Sequence, residues 1–268
     1  MSTEKRGRNH PFFARSEQVT EVIAHRGGGG EWPQETTYAF DRAVKTGVDV
    51  LEMDVHKTSD NHLVLMHDPN VDKTTGHPGF IKKMTSDEVK ALDAAAKWPS
   101  LKGTGIQVPE LEEVFGRYPK ARMVIEIKQK TPPLIDELCE LIRAHGKTEE
   151  VLVASFSDEV LKDFRGKCPE VATSASPFEA GALLLVNSFL KGDYRPDTDA
   201  LQIPWQLSLT PHLNQKIIAK ARELDLAVHA FTVNKPEEME TWINLRVDGI
   251  ITDYPTTLLK LMGRANPA

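Results

Sequence analysis

The stretch Val48-Asp49-Val50-Leu51-Glu52-Met53-Asp54-Val55 decides how this chain is read. Side chains alternate across a strand, so Leu51, Met53 and Val55 share one face while Val50, Glu52 and Asp54 share the other. The first face suits packing beneath helices. The second points two neighbouring carboxylates into an interior, where they repel unless a cation or protons hold them. Just before it stands A-H-R-G (residues 24–27), and just after it L-V-L-M-H-D (residues 63–68). Two histidines, an arginine and two carboxylates therefore sit at strand ends, the place where a barrel enzyme keeps its chemistry.

Outward from this centre the chain alternates short apolar strands with amphipathic helices. A first strand covers residues 21–24, and Thr36-Thr37 caps a helix with Ala39, Phe40, Ala43 and Val44 on one side, stopped near Gly47. The second strand covers 48–54. A hairpin follows, with residues 55–58, a turn at Ser59-Asp60-Asn61, and residues 62–66. Residues 69–105 are rich in turn formers and hold one short helix announced by a capping box from Thr85 to Glu88. Residues 56–112 thus read as an insertion over a barrel mouth. The rhythm then resumes, with strands at 122–127, 151–155, 171–174, 200–203, 227–232 and 249–252. Helices are expected at 132–145 and 158–165, and from a cap at Thr210 onward. Eight strands with helices between them predict an α/β fold, a TIM-like (β/α)8 barrel over residues 21–262 with a small insertion after the second strand. Residues 1–20 form an N-terminal extension and 263–268 a tail. An open doubly wound sheet is the alternative, but its Gly-rich dinucleotide fingerprint is missing.

At 268 residues the chain is long enough for one such barrel, which typically takes about 250. A net charge of −6 and no RNP-like motif argue against nucleic acid as the main partner. The two cysteines, Cys139 and Cys168, are too few for a disulfide scaffold and read as small core or helix residues. With no apolar h-region in the first residues and no run of the roughly 18 apolar residues that span a bilayer, a cytoplasmic protein without a transmembrane segment is expected. The apolar run A-G-A-L-L-L-V-N-S-F-L (residues 180–190) has two readings. It is a buried barrel helix, or an apolar rim near the mouth that makes peripheral lipid contact and receives an acyl chain.

Taken together, His25-Arg26-Gly27, Glu52-x-Asp54, His67-Asp68, Glu126-x-Lys128, F-T-V-N (residues 231–234) and D-G-I-I-T-D-Y-P (residues 248–255) resemble the glycerophosphodiester phosphodiesterase family. Each piece alone has an ordinary structural reading, as an ion pair or a turn; the order and spacing carry the resemblance, from about residue 22 to 259. It implies a divalent metal held by Glu52, Asp54 and Glu126, and two catalytic histidines, His25 and His67. It also implies hydrolysis of a glycerophosphodiester to an alcohol and glycerol 3-phosphate.

The residue types suit that chemistry. Three carboxylates are hard oxygen donors, fit for Mg²⁺ or Ca²⁺. Arg26 offers a planar fork to phosphate oxygens and Lys128 a point charge. His67 is assigned as acid toward the leaving alcohol and His25 as base, with the reverse open. Direct attack by water and a cyclic-phosphate route both remain open. Phe231 stands where many members carry tryptophan, and either ring walls a substrate pocket. Gly27 to Gly30 lacks the Walker lysine and reads as a loop near the phosphate. The other seven histidines are expected as surface or packing residues. One departure stands out: where the family reads P-E-N-T, this chain has Pro33-Gln34-Glu35-Thr36. It motivates one alternative, a non-catalytic phosphodiester-binding barrel; within the enzyme reading the other is lysophospholipase D-type activity on lysophospholipids.

Overall fold

The computed structural model describes residues 7–14, 20–186, 192–205 and 211–264, apart from the side chains of 211–213. Nine strands are present among them: β1 (Glu21–Ala24), β2 (Val50–Lys57), β3 (Leu63–Leu65), β4 (Arg122–Ile127), β5 (Val151–Ala154), β6 (Ala172–Thr173), β7 (Ala200–Pro204), β8 (Ala227–Phe231) and β9 (Gly249–Thr252). Helices α1 (Thr37–Thr46), α2 (Asp72–Thr75), α3 (Ser86–Lys90) and α4 (Leu111–Arg117) precede β4. After it come α5 (Ile135–Ala144), α6 (Asp158–Lys167), α7 (Pro177–Leu184), α8 (Pro211–Glu223), α9 (Pro236–Asn244) and α10 (Pro255–Leu261).

Eight parallel strands run in the order β6-β5-β4-β2-β1-β9-β8-β7, and a Ser174–Ala200 bridge links the two ends into a nearly closed barrel. The eight expected strands are these. β2 runs three residues further than expected, because Val55, still paired with Ile127 of β4, continues without a break into His56 and Lys57, and all three pair antiparallel with β3. Thr36 caps α1 and the Thr85–Glu88 capping box starts α3, as their spacing predicts. The cap expected at Thr210 lies outside the described residues.

The two faces of β2 separate as its alternation requires. Leu51, Met53 and Val55 pack outward against Phe40, Phe115, Leu138 and Phe164. Val50 faces inward with Val124, Leu152, Ala172, Ala200, Ala227 and Ile251, and Phe12 and Phe13 join this inner cluster. Phe12 is held by Arg122 at the start of β4, while Gly7 and Arg8 bind Asp199 and Asp248, just ahead of β7 and β9. The segment before β1 therefore closes the barrel at the N-terminal ends of its strands, and chemistry is left to the opposite mouth. Residues 56–112 have a small core of their own, with Val64, Met66, Val71, Ile81, Val89 and Val108 buried together.

The cysteines correct the expectation of two separate residues. Cys139 of α5 and Cys168, which ends α6, meet as a buried disulfide pair with Cα atoms 6.0 Å apart. Their helices are consecutive and packed side by side, a proximity that a separation of 29 residues does not reveal. No helix among the described residues is long and apolar enough to cross a membrane.

Candidate active site

At the end of β1 the chain tightens into a single turn over His25–Gly27, with Arg26 at φ 54°. Gly27 is needed there: at φ +79°, a Cβ would lie 2.8 Å from the Phe40 ring of α1. The turn aims His25 across the mouth. Its Nδ1 meets Asp253 Oδ1 at 2.6 Å, so Nε2 faces the interior, 3.9 Å from Glu52 Oε2. Asp253 is itself held twice by Asn234: its N–H donates to Asn234 Oδ1 (2.9 Å), and Asn234 Nδ2 donates to Asp253 Oδ2 (2.6 Å).

The carboxylates converge through register. Asp54 on β2 lies opposite Glu126 on β4, and Glu52 precedes Asp54 by one alternation. One oxygen from each of Glu52, Asp54 and Glu126 lies within 4.8 Å of the others. Two cations border the trio. Lys128 Nζ is 2.8 Å from Glu126 Oε1 and 3.2 Å from Asp54 Oδ1, and Arg26 Nε is 3.1 Å from Asp54 Oδ2. Neither Asp54 oxygen, both buried, has a hydrogen-bond donor of good geometry.

Burial with so many like charges displaces the acids. Burial pushes Glu52 up to about 7; His25 and Arg26 pull against this, and Asp54 and Glu126 add to it. Glu126 is raised by burial and Asp54 in spite of Lys128. For Lys128 and Arg26, burial works against the charge, but the carboxylates outweigh it and raise both. His25 follows the same pattern, lowered by burial but raised on balance by Glu52 and Asp253. His67 goes the other way, lowered by burial and by Arg26 and Lys128.

His67 follows β3 on the insertion. Its Nδ1 is 3.2 Å from Asp68 Oδ1, and Asp68 pairs with Lys73. Beneath it lies His56, whose Nε2 is 3.3 Å from the His67 carbonyl oxygen. Two hollows meet at Glu126, Ser155 and Phe156. One, of about 180 Å³, holds His25 and Glu52 at its base and is walled by Ala154, Phe156, Leu184, Phe231 and Ile251. The other, of about 440 Å³, is the more polar of the two and holds His67, His56, Asp68, Lys128, Gln129 and Lys130 beside Pro69, Ile127 and Val160. Phe231 thus walls the apolar hollow, its ring 6.3 Å from that of Phe156.

The expected site residues His25, Arg26, Glu52, Asp54, Glu126 and Lys128 are in contact, with His67 and Phe231 at the edges of the same mouth. Gln34 does not reach the trio; its Oε1 accepts from Arg26 Nη1 at 3.1 Å. Glu35 is buried behind Asp54 instead. The apolar run divides by residue: Leu183 is in the core, Leu184 lines the apolar hollow and Leu185 is 55% exposed, while residues 187–190 lie outside the described part. Sequence reasoning assigned no role to Asp253, Asn234 or His56. Barrel closure was the signal for Asp253. Closure makes the first and last strands neighbours, and the Ala24–Thr252 pairing sets the next residues, His25 and Asp253, side by side.

Fold and site define a TIM-barrel enzyme with acid–base groups around a carboxylate cluster. The chain matches the model of the glycerophosphoryl diester phosphodiesterase family over residues 25–257. It belongs to that family, and so to the phosphoric diester hydrolases. A glycerophosphodiester phosphodiesterase of Caldanaerobacter subterraneus subsp. tengcongensis is 33% identical over 248 residues, covering 91% of this chain and 98% of the relative. Rat lysophospholipase D GDPD1 is 25% identical over 273 residues, covering 91% of this chain and 86% of the relative. In fold, the chain resembles a phosphodiesterase of Oleispira antarctica solved in complex with the product sn-glycerol-3-phosphate. The TM-score is 0.74 at 24% identity, covering 91% of this chain and 97% of that one.

Proposed function

We propose that this chain hydrolyses glycerophosphodiesters to an alcohol and glycerol 3-phosphate, using one divalent cation, Mg²⁺ or Ca²⁺, held by Glu52, Asp54 and Glu126. The convergence of these three carboxylates within 4.8 Å, bordered by two histidines, carries the reading. The residues fit a hard cation: every donor is a carboxylate oxygen, and both oxygens of Asp54 are buried, facing only the flanking ion-pair partners Lys128 and Arg26 at 3.2 and 3.1 Å without a hydrogen bond of good geometry. Bound there, the cation would supply Lewis-acid stabilisation of the phosphate oxygens.

The protein's own groups do the rest. Arg26 and Lys128 offset the carboxylate charge and hold phosphate oxygens beside the trio. The glyceryl half of the substrate enters the hollow of His25 and Phe231, and the leaving alcohol occupies the polar hollow of His67. His67 therefore donates a proton to the leaving oxygen. His25, oriented by Asp253 at Nδ1, takes at Nε2 the proton of the attacking hydroxyl, of water or of the substrate's own glycerol. The electrostatics of the bare residues favour the reverse pairing, since His25 is raised and His67 lowered. Neutralising Glu52 removes the main charge that raises His25, so the division between the two hollows is the better guide.

The same apolar hollow supports a second reading, cleavage of lysophospholipids in the lysophospholipase D manner. Leu184 and Phe156 (62% exposed) line it, and the exposed Phe178 (69%) and Leu185 (55%) are the chain neighbours of its lining residues Pro177 and Leu184, apolar surface that an acyl chain and a lipid surface would meet. The test is a panel of glycerophosphodiesters and lysophospholipids, assayed for glycerol 3-phosphate or lysophosphatidate with Mg²⁺, with Ca²⁺ and with excess EDTA. Full activity in EDTA would remove the cation from the scheme. No release from any substrate would leave only a binding barrel.

A further inference from the structure

Glu35 stands where β2 lacks a strand partner. β1 pairs with β2 only as far as Ala24–Leu51, and β3 begins its pairing at Val55. Between them the β1-side edge of β2 is bonded by other means. The Asp54 N–H donates to Glu35 Oε1 at 2.9 Å, and the Asp54 carbonyl accepts from the N–H of Met66, the residue before His67, at 3.0 Å. The Glu35 N–H in turn donates to the Arg26 carbonyl at 3.0 Å. One residue thus ties the two together just ahead of α1, reaching Arg26 through its main chain and Asp54 through its side chain.

The arrangement is costly in two ways. Glu35 sits at φ 59°, a left-handed conformation that a long side chain adopts only when its surroundings over-determine it. Its carboxyl group is buried, the residue being 2% exposed, and Oε2 has no hydrogen-bond partner. A buried polar atom of this kind is destabilising by itself. Helix capping does not account for it, because Thr36 caps α1. What the conformation achieves is the placement of Oε1 under the main chain of Asp54, whose carboxylate is the middle member of the trio.

We propose that Glu35 is a positioning residue of the cation site: it stands in for the missing strand partner at Asp54, and the affinity of the trio for a divalent cation depends on it. The proposal rests on reading Glu52, Asp54 and Glu126 as the cation ligands. Outer groups that orient a ligand are typically worth about 10–100-fold in metal affinity. Glu35→Gln keeps an acceptor at the position of Oε1. Glu35→Gly removes the side chain and relieves the left-handed backbone, so folding survives its test.

The experiment is cation binding by the full chain at one pH, read by Ca²⁺ and Mn²⁺ calorimetry and by Tb³⁺ luminescence, with Tm measured alongside. Glu35→Gly and Glu35→Ala are expected to raise Kd by about 10–100-fold, and Glu35→Gln to stay within about threefold of the parent. Saturating cation should restore most of kcat in the Gly variant, because Glu35 touches no reacting atom. An unchanged Kd in Glu35→Gly, whatever its Tm, would make the residue merely structural and overturn the proposal. A loss in Glu35→Gln as large as in Glu35→Ala would overturn it too, showing that charge rather than positioning matters. Glu126→Gln separates the two levels: cation binding lost there but untouched by Glu35 variants defeats only the present inference. No binding by the parent chain defeats both.

Discussion

The two halves of the barrel mouth are built on different principles. On the β1–β2–β4 side, Arg26, Glu52, Asp54, Glu126 and Lys128 are tied to one another by hydrogen bonds and ion pairs of 2.8–3.2 Å. On the β5–β8 side, Ala154, Leu184 and Phe231 wall a hollow by shape alone. Directional bonds hold charged groups to a fraction of an ångström, which proton transfer and phosphate binding require. Apolar walls are non-directional and tolerate variety. In the reaction proposed above, the charged half sets the chemistry and the apolar half sets what the glyceryl group carries.

The sharpest way to break this division is His67→Ala. If His67 is the acid, kcat falls by about 10²–10⁴-fold on an alkyl diester while the fold and cation binding persist. The loss shrinks for a nitrophenyl diester, whose leaving group departs without a proton. A leaving-group dependence in His25→Ala instead of His67→Ala would exchange the two roles.

Next in size is the pH dependence of stability in the chelated protein. Glu52 stands at about 7 in the fold against 4.5 as an ordinary glutamate. Between these values the folded chain keeps a proton that the unfolded chain releases, so stability contributed by Glu52 is highest below 4.5 and falls as pH rises to about 7. Measured against Glu52→Gln, urea unfolding in EDTA is expected to show a decline of at most about 3 kcal/mol over that interval. Saturating Ca²⁺ is expected to flatten it. A parent-to-variant difference that does not change with pH would show that Glu52 is not held in its acid form.

A smaller effect tests the apolar half. Leu184→Ser is expected to raise KM for a lysophospholipid by about tenfold, the order of one partly buried leucine, and to leave glycerophosphocholine unchanged. Equal losses on both substrates would return Leu184 to a purely structural role. The smallest effect belongs to Gln34→Glu. A charged acceptor for Arg26 Nη1 strengthens that bond by about 1 kcal/mol, which predicts a gain of a few-fold in kcat/KM. A decline would show that Arg26 needs to stay free of further neutralisation.

Legibility in the sequence followed the range of the interaction. The faces of β2, the caps at Thr36 and Thr85, and the strand positions rest on neighbours within a few residues, and they could be read directly. Asp253, 228 positions from His25, could be found only by following barrel closure from the last strand to the first. Cys139 and Cys168 needed the packing of two consecutive helices. His56 reads as a surface or packing residue; the hairpin was legible, but the register that sets the His67 carbonyl against the His56 ring was not.

By itself, then, the sequence determined the alternating βα rhythm, the inward aim of Glu52 and Asp54, and the residue types able to hold a hard cation and move protons. Periodicity and side-chain chemistry are local properties, and they survive in any correct arrangement of the strands. Only the tertiary structure decided that Gln34 serves Arg26 while Glu35 lies under Asp54, and that His25 and His67 open onto different hollows. Those outcomes depend on where β1 stops and β3 begins along β2. That register is set by packing across the whole barrel, and no window of sequence contains it.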